Sequence, residues 1–303
     1  MQIHWYPGHM HKAQRKIREV FHQVDVMIEV LDARLPLSSR NTLLAEIRGT
    51  KPCLMVLNKT DLADSSVTKK WLAWYNAQEG VTAYATHNGE RKRLQDIPQL
   101  CRDMVPRRGI PGKPVRALIA GIPNVGKSTL INSLAGRKVA HTGNEPAVTK
   151  NQQKVDAGKY FQLLDTPGIM QPSPGDVLAG YRLATSGAIR STAMEYEEVA
   201  LFAIDYLLQR YRGALAKRYG ISEDSDDAAQ ILPAIAERRG CIRDGELDLH
   251  KASEIVLNEF RAGKLGRITL EEPQRELPYR LLPPEPVHDE SDDSEPPTGL
   301  HRQ

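Results

Sequence analysis

Apolar runs of strand length alternate with stretches of helical period over the first 170 or so residues. Val24 to Leu31 reads as a strand ending at Asp32, and Pro52 to Leu57 as a second, nearly all-apolar strand suited to the inside of a parallel sheet. Val81 to Ala85, Val115 to Ala120 and Phe161 to Leu164 read as three more. Between them, 42–48, 67–76, 94–104 and 127–134 carry helical spacing, and 106–114 is a connector rich in Arg, Gly and Pro. From Pro172 to Gly175 the composition turns to proline, serine and glycine, which marks a boundary. Beyond it the pattern is helical, with no convincing strand. Ser191 to Tyr211 places Val199, Phe202, Tyr206 and Leu207 near a 3.6-residue period, and Asp227 to Arg239 follows. Asp248 to Arg261 opens on an Asp cap and stops near Gly263. Glu271 to Gln303, proline-punctuated and acidic, is expected to be mostly disordered. The expected layout is an α/β domain over 1–172, a small all-α domain over 173–270 and a tail over 271–303.

Charge changes this picture only where it is uneven. The net charge of +3 and the 40% hydrophobic content describe a chain with a real core and say nothing about polyanions. Yet the first twenty residues carry His4, His9, His11, Lys12, Arg15, Lys16 and Arg18 against one acid, Glu19. Residues 9–23 read as a helix with Ile17, Val20 and Phe21 on one side and basic residues on the other. That is an amphipathic surface helix, or one whose basic face meets RNA phosphates. Cys53, Cys101 and Cys241 are dispersed, without metal-like spacing. A reducing compartment is therefore the expectation. With no apolar leader and no apolar run near 18 residues, a soluble, cytoplasmic protein is expected, with no membrane and no DNA as partners.

The chemistry is concentrated in three short motifs. Gly121-Ile122-Pro123-Asn124-Val125-Gly126-Lys127-Ser128 follows the fourth strand and fits G-x-x-x-x-G-K-[ST]. Its glycines let the backbone wrap an anion, so that consecutive N–H groups point at phosphates. Lys127 can reach the β- and γ-phosphates, Ser128 can ligate Mg²⁺, and the following helix offers its positive end. Asn58-Lys59-Thr60-Asp61, at the end of the second strand, fits N-K-x-D. A carboxylate at Asp61 can accept from N1–H and the exocyclic amine of guanine, neither of which adenine offers there. Asn58 can hold the base and brace the phosphate loop, and the Lys59 stem can cover the ring face. Asp165-Thr166-Pro167-Gly168, after the fifth strand, fits D-x-x-G. Asp165 can hold the Mg²⁺ hydration shell, and the Gly168 amide can sense the γ-phosphate. N-K-x-D or D-x-x-G alone is usually a polar turn; together with a phosphate loop, at strand ends, they point to guanine nucleotide.

The order of these motifs is unusual, because N-K-x-D precedes the phosphate loop and D-x-x-G comes last. A sheet tolerates this if former termini were joined, here through Met104 to Pro114. The chain resembles the circularly permuted GTPases and, more narrowly, the YlqF/RbgA family of ribosome-biogenesis GTPases. The residues carrying the resemblance are Trp5-Tyr6-Pro7-Gly8-His9-Met10, Asp32-Ala33-Arg34-Leu35-Pro36, the three motifs above and Leu265-Gly266-Arg267-Ile268. The resemblance implies a Ras-like GTPase domain and a helical RNA-binding domain. It also implies GTP hydrolysis in late assembly of the large (50S) ribosomal subunit, stimulated by the particle, with the subunit precursor and its rRNA as partners. Nucleotide contacts would come from Asn58 to Asp61, Thr86 and His87, Asn124, Val125, Gly126, Lys127, Ser128, Thr129 and Gly168.

Departures from the family pattern matter for mechanism. Ala85-Thr86 stands where Ser-Ala is usual, a change that backbone donors survive. Pro146-Ala147-Val148-Thr149 stands where the effector threonine usually follows Pro-Gly-x, so Thr149, as a Mg²⁺ or γ-phosphate contact, follows an altered loop. Ile169 follows D-x-x-G and cannot orient a water, as glutamine does in Ras-like enzymes. By resemblance His9 supplies that function; otherwise it is a plain surface histidine. Resemblance to potassium-activated GTPases suggests that Asn124 helps hold K⁺; otherwise it satisfies a tight turn. Three readings stand: a GTPase assembly factor, a kinase or ATPase sharing the phosphate loop, and an RNA-binding module that binds GTP with little hydrolysis.

Overall fold

The protein was analysed as a computed structural model that describes residues 15, 17–139, 153–165, 177–189 and 195–273. Six strands form one sheet: β1 (Val26–Asp32), β2 (Cys53–Asn58), β3 (Val81–Ala85), β4 (Val115–Ala120), β5 (Gln153–Asp156) and β6 (Phe161–Asp165). Their order is β3-β2-β1-β4-β6-β5, and all pairs are parallel except the edge pair β5–β6. Burial explains the composition: β1 and β2 are buried at every position, as expected of strands covered on both faces. Alternate residues serve opposite layers. Val26, Ile28, Val30, Leu54 and Val56 face one layer; Met27, Leu31, Met55 and Leu57 face the other.

The second layer is closed by the helical turn 17–21, by α1 (Thr42–Arg48) and by α2 (Ser65–Asn76), whose Trp71 and Tyr75 are buried against the sheet. Both helices start where a side chain accepts from first-turn N–H groups, Asn41 from Leu43 and Asp64 from Ser66 and Val67. The first layer is closed by α3 (Arg91–Met104), α4 (Lys127–Ala135), α5 (Val177–Ser186) and the start of α6 (Tyr196–Arg210). The last two lie beyond the expected boundary at 172, yet Tyr181, Leu183, Ala184, Val199 and Phe202 share one core with the sheet.

A third core joins the end of α6 to α7 (Ala214–Tyr219), α8 (Ala228–Arg238) and α9 (Leu249–Arg261), with Cys241, Leu265, Ile268 and Leu270 packed into it. Asp227 and Asp248 cap α8 and α9, and Val199, Phe202, Tyr206, Leu207, Val256, Leu257 and Phe260 are buried. The expectation of no strand in this part is corrected by a two-stranded hairpin, β7 (Ile242–Arg243) with β8 (Glu246–Leu247), turning on Asp244 and Gly245, both at positive φ. α5, α7 and β5 are further elements that the residue pattern did not announce.

After α9 the chain returns to the sheet as a strap. Ile268 N–H donates to the Leu62 carbonyl (3.0 Å), Leu270 N–H to the Arg34 carbonyl (2.6 Å), and Asp64 N–H to Thr269 Oγ1 (3.0 Å). Trp71 Nε1 donates to the Glu271 carbonyl at 3.1 Å. The Glu271 carboxylate, fully buried, accepts from the N–H groups of Leu37 and Ser38 and faces Arg182 at 3.5 Å. The expected tail lies beyond 273, outside the described residues apart from its first three. Among the described residues no helix is long and apolar enough to cross a membrane.

Candidate nucleotide-binding site

The sheet brings the carboxyl ends of β2, β1 and β4 side by side, so the loops leaving them meet. Two glycines of the loop after β4 are there for geometric reasons. Gly121 has φ +148°, and a Cβ would collide with the Val30 carbonyl oxygen of β1. Gly126 has φ +97°, and a Cβ there would collide with Asn58 Nδ2 at the end of β2. The contact is a bond as well as a close approach: Asn58 Nδ2 donates to the Val125 carbonyl at 2.7 Å, fully buried. Asn58 Oδ1 is buried with no partner among the described residues, an orphan that a ligand or water satisfies.

The loop opens into α4 through Gly126 in the left-handed region, without a side-chain cap on the helix start. A glycine-led helix start of this kind is suited to an anion. Lys127 is buried, its Nζ donating to the Ile122 carbonyl at 2.8 Å, which folds the ammonium back over the loop. Ser128 and Thr129 are half-buried in the same turn. Asn124, at φ +61°, donates through Nδ2 to the Gly187 carbonyl at 2.7 Å, just past α5. A carbonyl only accepts, so this contact fixes the amide's orientation and turns Oδ1 to the other side.

The motif after β2 is held from beneath by a buried ionic node. Lys59, at φ +63°, reaches Asp32 Oδ2 at 2.9 Å. Arg34 grips the same carboxylate through Nε (2.9 Å) and Nη2 (2.7 Å). Burial alone would raise the Asp32 carboxyl, but Arg34 and Lys59 hold it well below the usual carboxylate range. Burial lowers the Lys59 ammonium, and Asp32 opposes that. Asp61 remains exposed. The neighbouring loop after β3 is tied in, with Thr60 N–H donating to the Thr86 carbonyl at 3.3 Å and Thr60 Oγ1 lying 3.4 Å from His87 Nδ1.

Asn58, Lys59, Thr60, Asp61, Thr86, His87 and Asn124 to Thr129 are therefore brought to one place. Asp165 ends β6 beside Ile119 of β4, and the rest of the D-x-x-G motif lies outside the described residues. His9, Thr149 and Gly168 lie outside the described residues. Residue reasoning missed Gly187 as the partner of Asn124, and it met Asp32 and Arg34 only through family resemblance. An acid closing a strand with an arginine two positions on was the available signal for that node; Gly187 offered none. Among the described residues no three His, Cys, Asp or Glu side chains cluster to hold a metal.

A glycine loop feeding a helix from a central parallel strand, bonded to an N-K-x-D loop two strands away, defines a phosphate-loop GTPase with permuted motif order. Comparison with known proteins agrees. Residues 116–239 match the family model described as 50S ribosome-binding GTPase. Ribosome biogenesis GTPase A of Bacillus cereus is 44% identical over 282 residues, covering 90% of this chain and 95% of that one. Its namesake in Thermotoga maritima is 30% identical, covering 91% and 97%. A GDP-bound structure of TM YlqF superposes with a TM-score of 0.61 at 26% identity, over 86% of this chain and 100% of that one. The chain belongs to the ribosome biogenesis GTPase A (YlqF/RbgA) family: it is a GTPase of ribosome biogenesis.

Proposed function

We propose that this GTPase acts in late maturation of the large ribosomal subunit, binding the rRNA of the precursor particle in a GTP-dependent way. The observation that carries the nucleotide half is the Asn58–Val125 bond, which makes base reading and phosphate gripping parts of one pocket. In this reading Asp61 accepts from guanine N1–H and the exocyclic amine, the Lys59 stem covers the ring, and Thr86 and His87 close the pocket, the backbone donor coming from His87 because the Thr86 N–H is held by the Leu57 carbonyl at 2.9 Å. Asn124 to Thr129 wrap the phosphates, and Lys127 moves from the Ile122 carbonyl to the transferred phosphoryl group. Ser128 and Thr149 would ligate Mg²⁺ directly, Asp165 through water, and the Asn124 oxygen would face K⁺; these cations supply positive charge where negative charge builds. The half-buried Ser128, in the first turn of α4 after the loop leaving β4, suits that role. Gly168 would sense the γ-phosphate, and His9 would orient the attacking water in place of Ile169.

Ile169 also gives weight to a second reading, an RNA-binding GTP sensor with little hydrolysis of its own. Sedimentation with precursor and mature large subunits, under GDP and a non-hydrolysable GTP analogue, tests the proposal. We expect co-sedimentation with the analogue and release with GDP, together with faster GTP turnover when particles are present. Association indifferent to nucleotide overturns the timing role; turnover indifferent to particles hands the case to the sensor. The domain division is part of the proposal, with 173–270 as the RNA-binding unit although α5 and α6 share the sheet's core.

A further inference from the structure

The pole of the sheet opposite the nucleotide loops carries a cationic surface that no motif announced. Its centre is the connector between α3 and β4. Residues 105–114 contain Arg107, Arg108 and Lys113 and no acid. They form a small hairpin: Gly109 N–H donates to the Lys113 carbonyl at 2.8 Å, and Lys113 N–H to the Ile110 carbonyl at 2.9 Å. Pro111 and Gly112, the latter at φ +75°, make the turn. Gly109 (φ +77°) sits beneath the Arg102 stem, where a Cβ would not fit. The tip is therefore stiff, and it is exposed, Ile110 by 48%.

Its surroundings extend the same sign of charge. Val115 N–H donates to the Tyr160 carbonyl at 2.9 Å, which places exposed Lys159 of the β5–β6 turn beside the hairpin. Asp25 N–H donates to the Arg116 carbonyl at 2.9 Å, bringing in Arg116 and the end of the helical turn with exposed Arg18. The acids near the hairpin are held by cations, amides or backbone groups, exposed Asp156 by the Gln162 amide at 3.2 Å among them. Asp25 takes Arg108 (3.0 Å) and the Arg116 N–H, Asp103 takes Gln99, and Glu19 takes Arg15. Among the described residues neither Arg107 nor Lys113 has an acidic partner.

We infer that this hairpin and its basic surroundings form a docking surface for the phosphodiester backbone of folded RNA. The inference rests on the rRNA reading above and adds a contact on the sheet itself, apart from the proposed RNA-binding unit at 173–270. Two exposed cations flanking a rigid, uncharged turn complement a polyanion, and a stiff tip loses little conformational freedom on docking. β4 separates this pole from the phosphate loop by about 20 Å at ~3.3 Å per residue. A change here therefore leaves the nucleotide pocket alone.

The test is the double variant Arg107→Glu/Lys113→Glu, with Arg107→Gln/Lys113→Gln beside it. Binding to deproteinised large-subunit rRNA is measured over a salt series, and GDP affinity is measured in parallel. Each lost phosphate contact removes about 0.7–0.9 from the slope of log K against log salt. The Gln pair should lower that slope by about 1.5, and the Glu pair should weaken binding at least about tenfold near 0.1 M salt, with GDP affinity unchanged. Unchanged slope and affinity in both variants overturn the surface while leaving the rRNA reading intact. Loss of binding to particles with rRNA binding retained overturns it in favour of an acidic protein partner. A wild type that ignores rRNA altogether overturns both this assignment and the reading beneath it.

Discussion

Asp61 is exposed while the residues around it are fixed, which is the arrangement that a base-reading carboxylate needs. Lys59 is pinned to Asp32, Thr60 to Thr86, and Asn58 to the phosphate loop. Asp61→Asn should lower GTP affinity about 10–100-fold, since a hydrogen bond to a charged group contributes about 1.5–3 kcal/mol. It should also shift preference toward xanthine nucleotides, because the amide offers a donor to the extra oxygen. Competition titrations check both, and full guanine selectivity in the variant removes Asp61 from base reading. A second residue, Glu29, makes a stability prediction. Burial raises its carboxyl from 4.5 to about 7, against the Asn41 N–H and the charges of Arg40 and Arg48. The folded state then holds this proton more tightly than the unfolded chain does. Glu29 accordingly contributes stability fully below about 4.5 and loses it as pH rises toward 7, on the order of 3 kcal/mol in all. Glu29→Gln keeps an acceptor for Asn41 and should flatten that part of the stability–pH curve in urea unfolding. An unchanged curve would clear Glu29 of the effect.

At the scale of elements, the carboxyl end of α5 is where separate parts of the protein meet. A helix end leaves carbonyls unpaired, and here other segments satisfy them. Arg261 of α9 donates to Ala184 (2.8 Å) and Thr185 (3.0 Å), Arg34 reaches Ser186 (3.5 Å), and Asn124 of the phosphate loop takes Gly187 (2.7 Å). Arg261 Nε also lies 3.1 Å from where a Gly187 Cβ would be. Removing Arg261 should therefore loosen Gly187 and, through it, Asn124. In a double-mutant cycle on GDP affinity, Arg261→Ala and Asn124→Ala should be non-additive by at least about 0.5 kcal/mol. Additivity would show that α9 and the phosphate loop act independently.

α5 is also the clearest case of an element hidden from its residue pattern. From Gly180 to Ser186 every position is buried, Arg182 included, so no polar face marks a 3.6-residue period. β5 is a short edge strand, Gln153–Asp156, whose single apolar residue is Val155. The β7–β8 hairpin, by contrast, had its signal in Asp244-Gly245. The central strands were legible because burial on both faces leaves an unbroken apolar run. The same division holds at the site. Residues whose chemistry sits in consecutive positions, such as Asn58 to Asp61 and Gly121 to Ser128, could be read from the chain. Asn124 with Gly187 and Arg261 with α5 could not, because packing alone brings those partners together.

Over the whole molecule, the strap ties the helical part to the loop that carries the N-K-x-D motif. Leu62 and Asp64 follow the N-K-x-D motif directly, and both are bonded to 268–269. Tyr211, at the end of α6, donates to the Thr269 carbonyl at 3.2 Å and accepts from its N–H at 3.0 Å. The helical part is thus anchored to the N-K-x-D loop by the strap and to the loop after β4 by the end of α5. The rewired order of strands has a bearing on how such a protein is made. During synthesis Asn58 to Asp61 emerge well before Gly121 to Lys127, and β1 waits for β4 with one edge bare. A nascent chain has no complete pocket until Gly126 closes on Asn58, and no strap until residue 270 is out. The two halves of the pocket therefore meet only once the first 126 residues have been made, and the strap follows more than a hundred residues later.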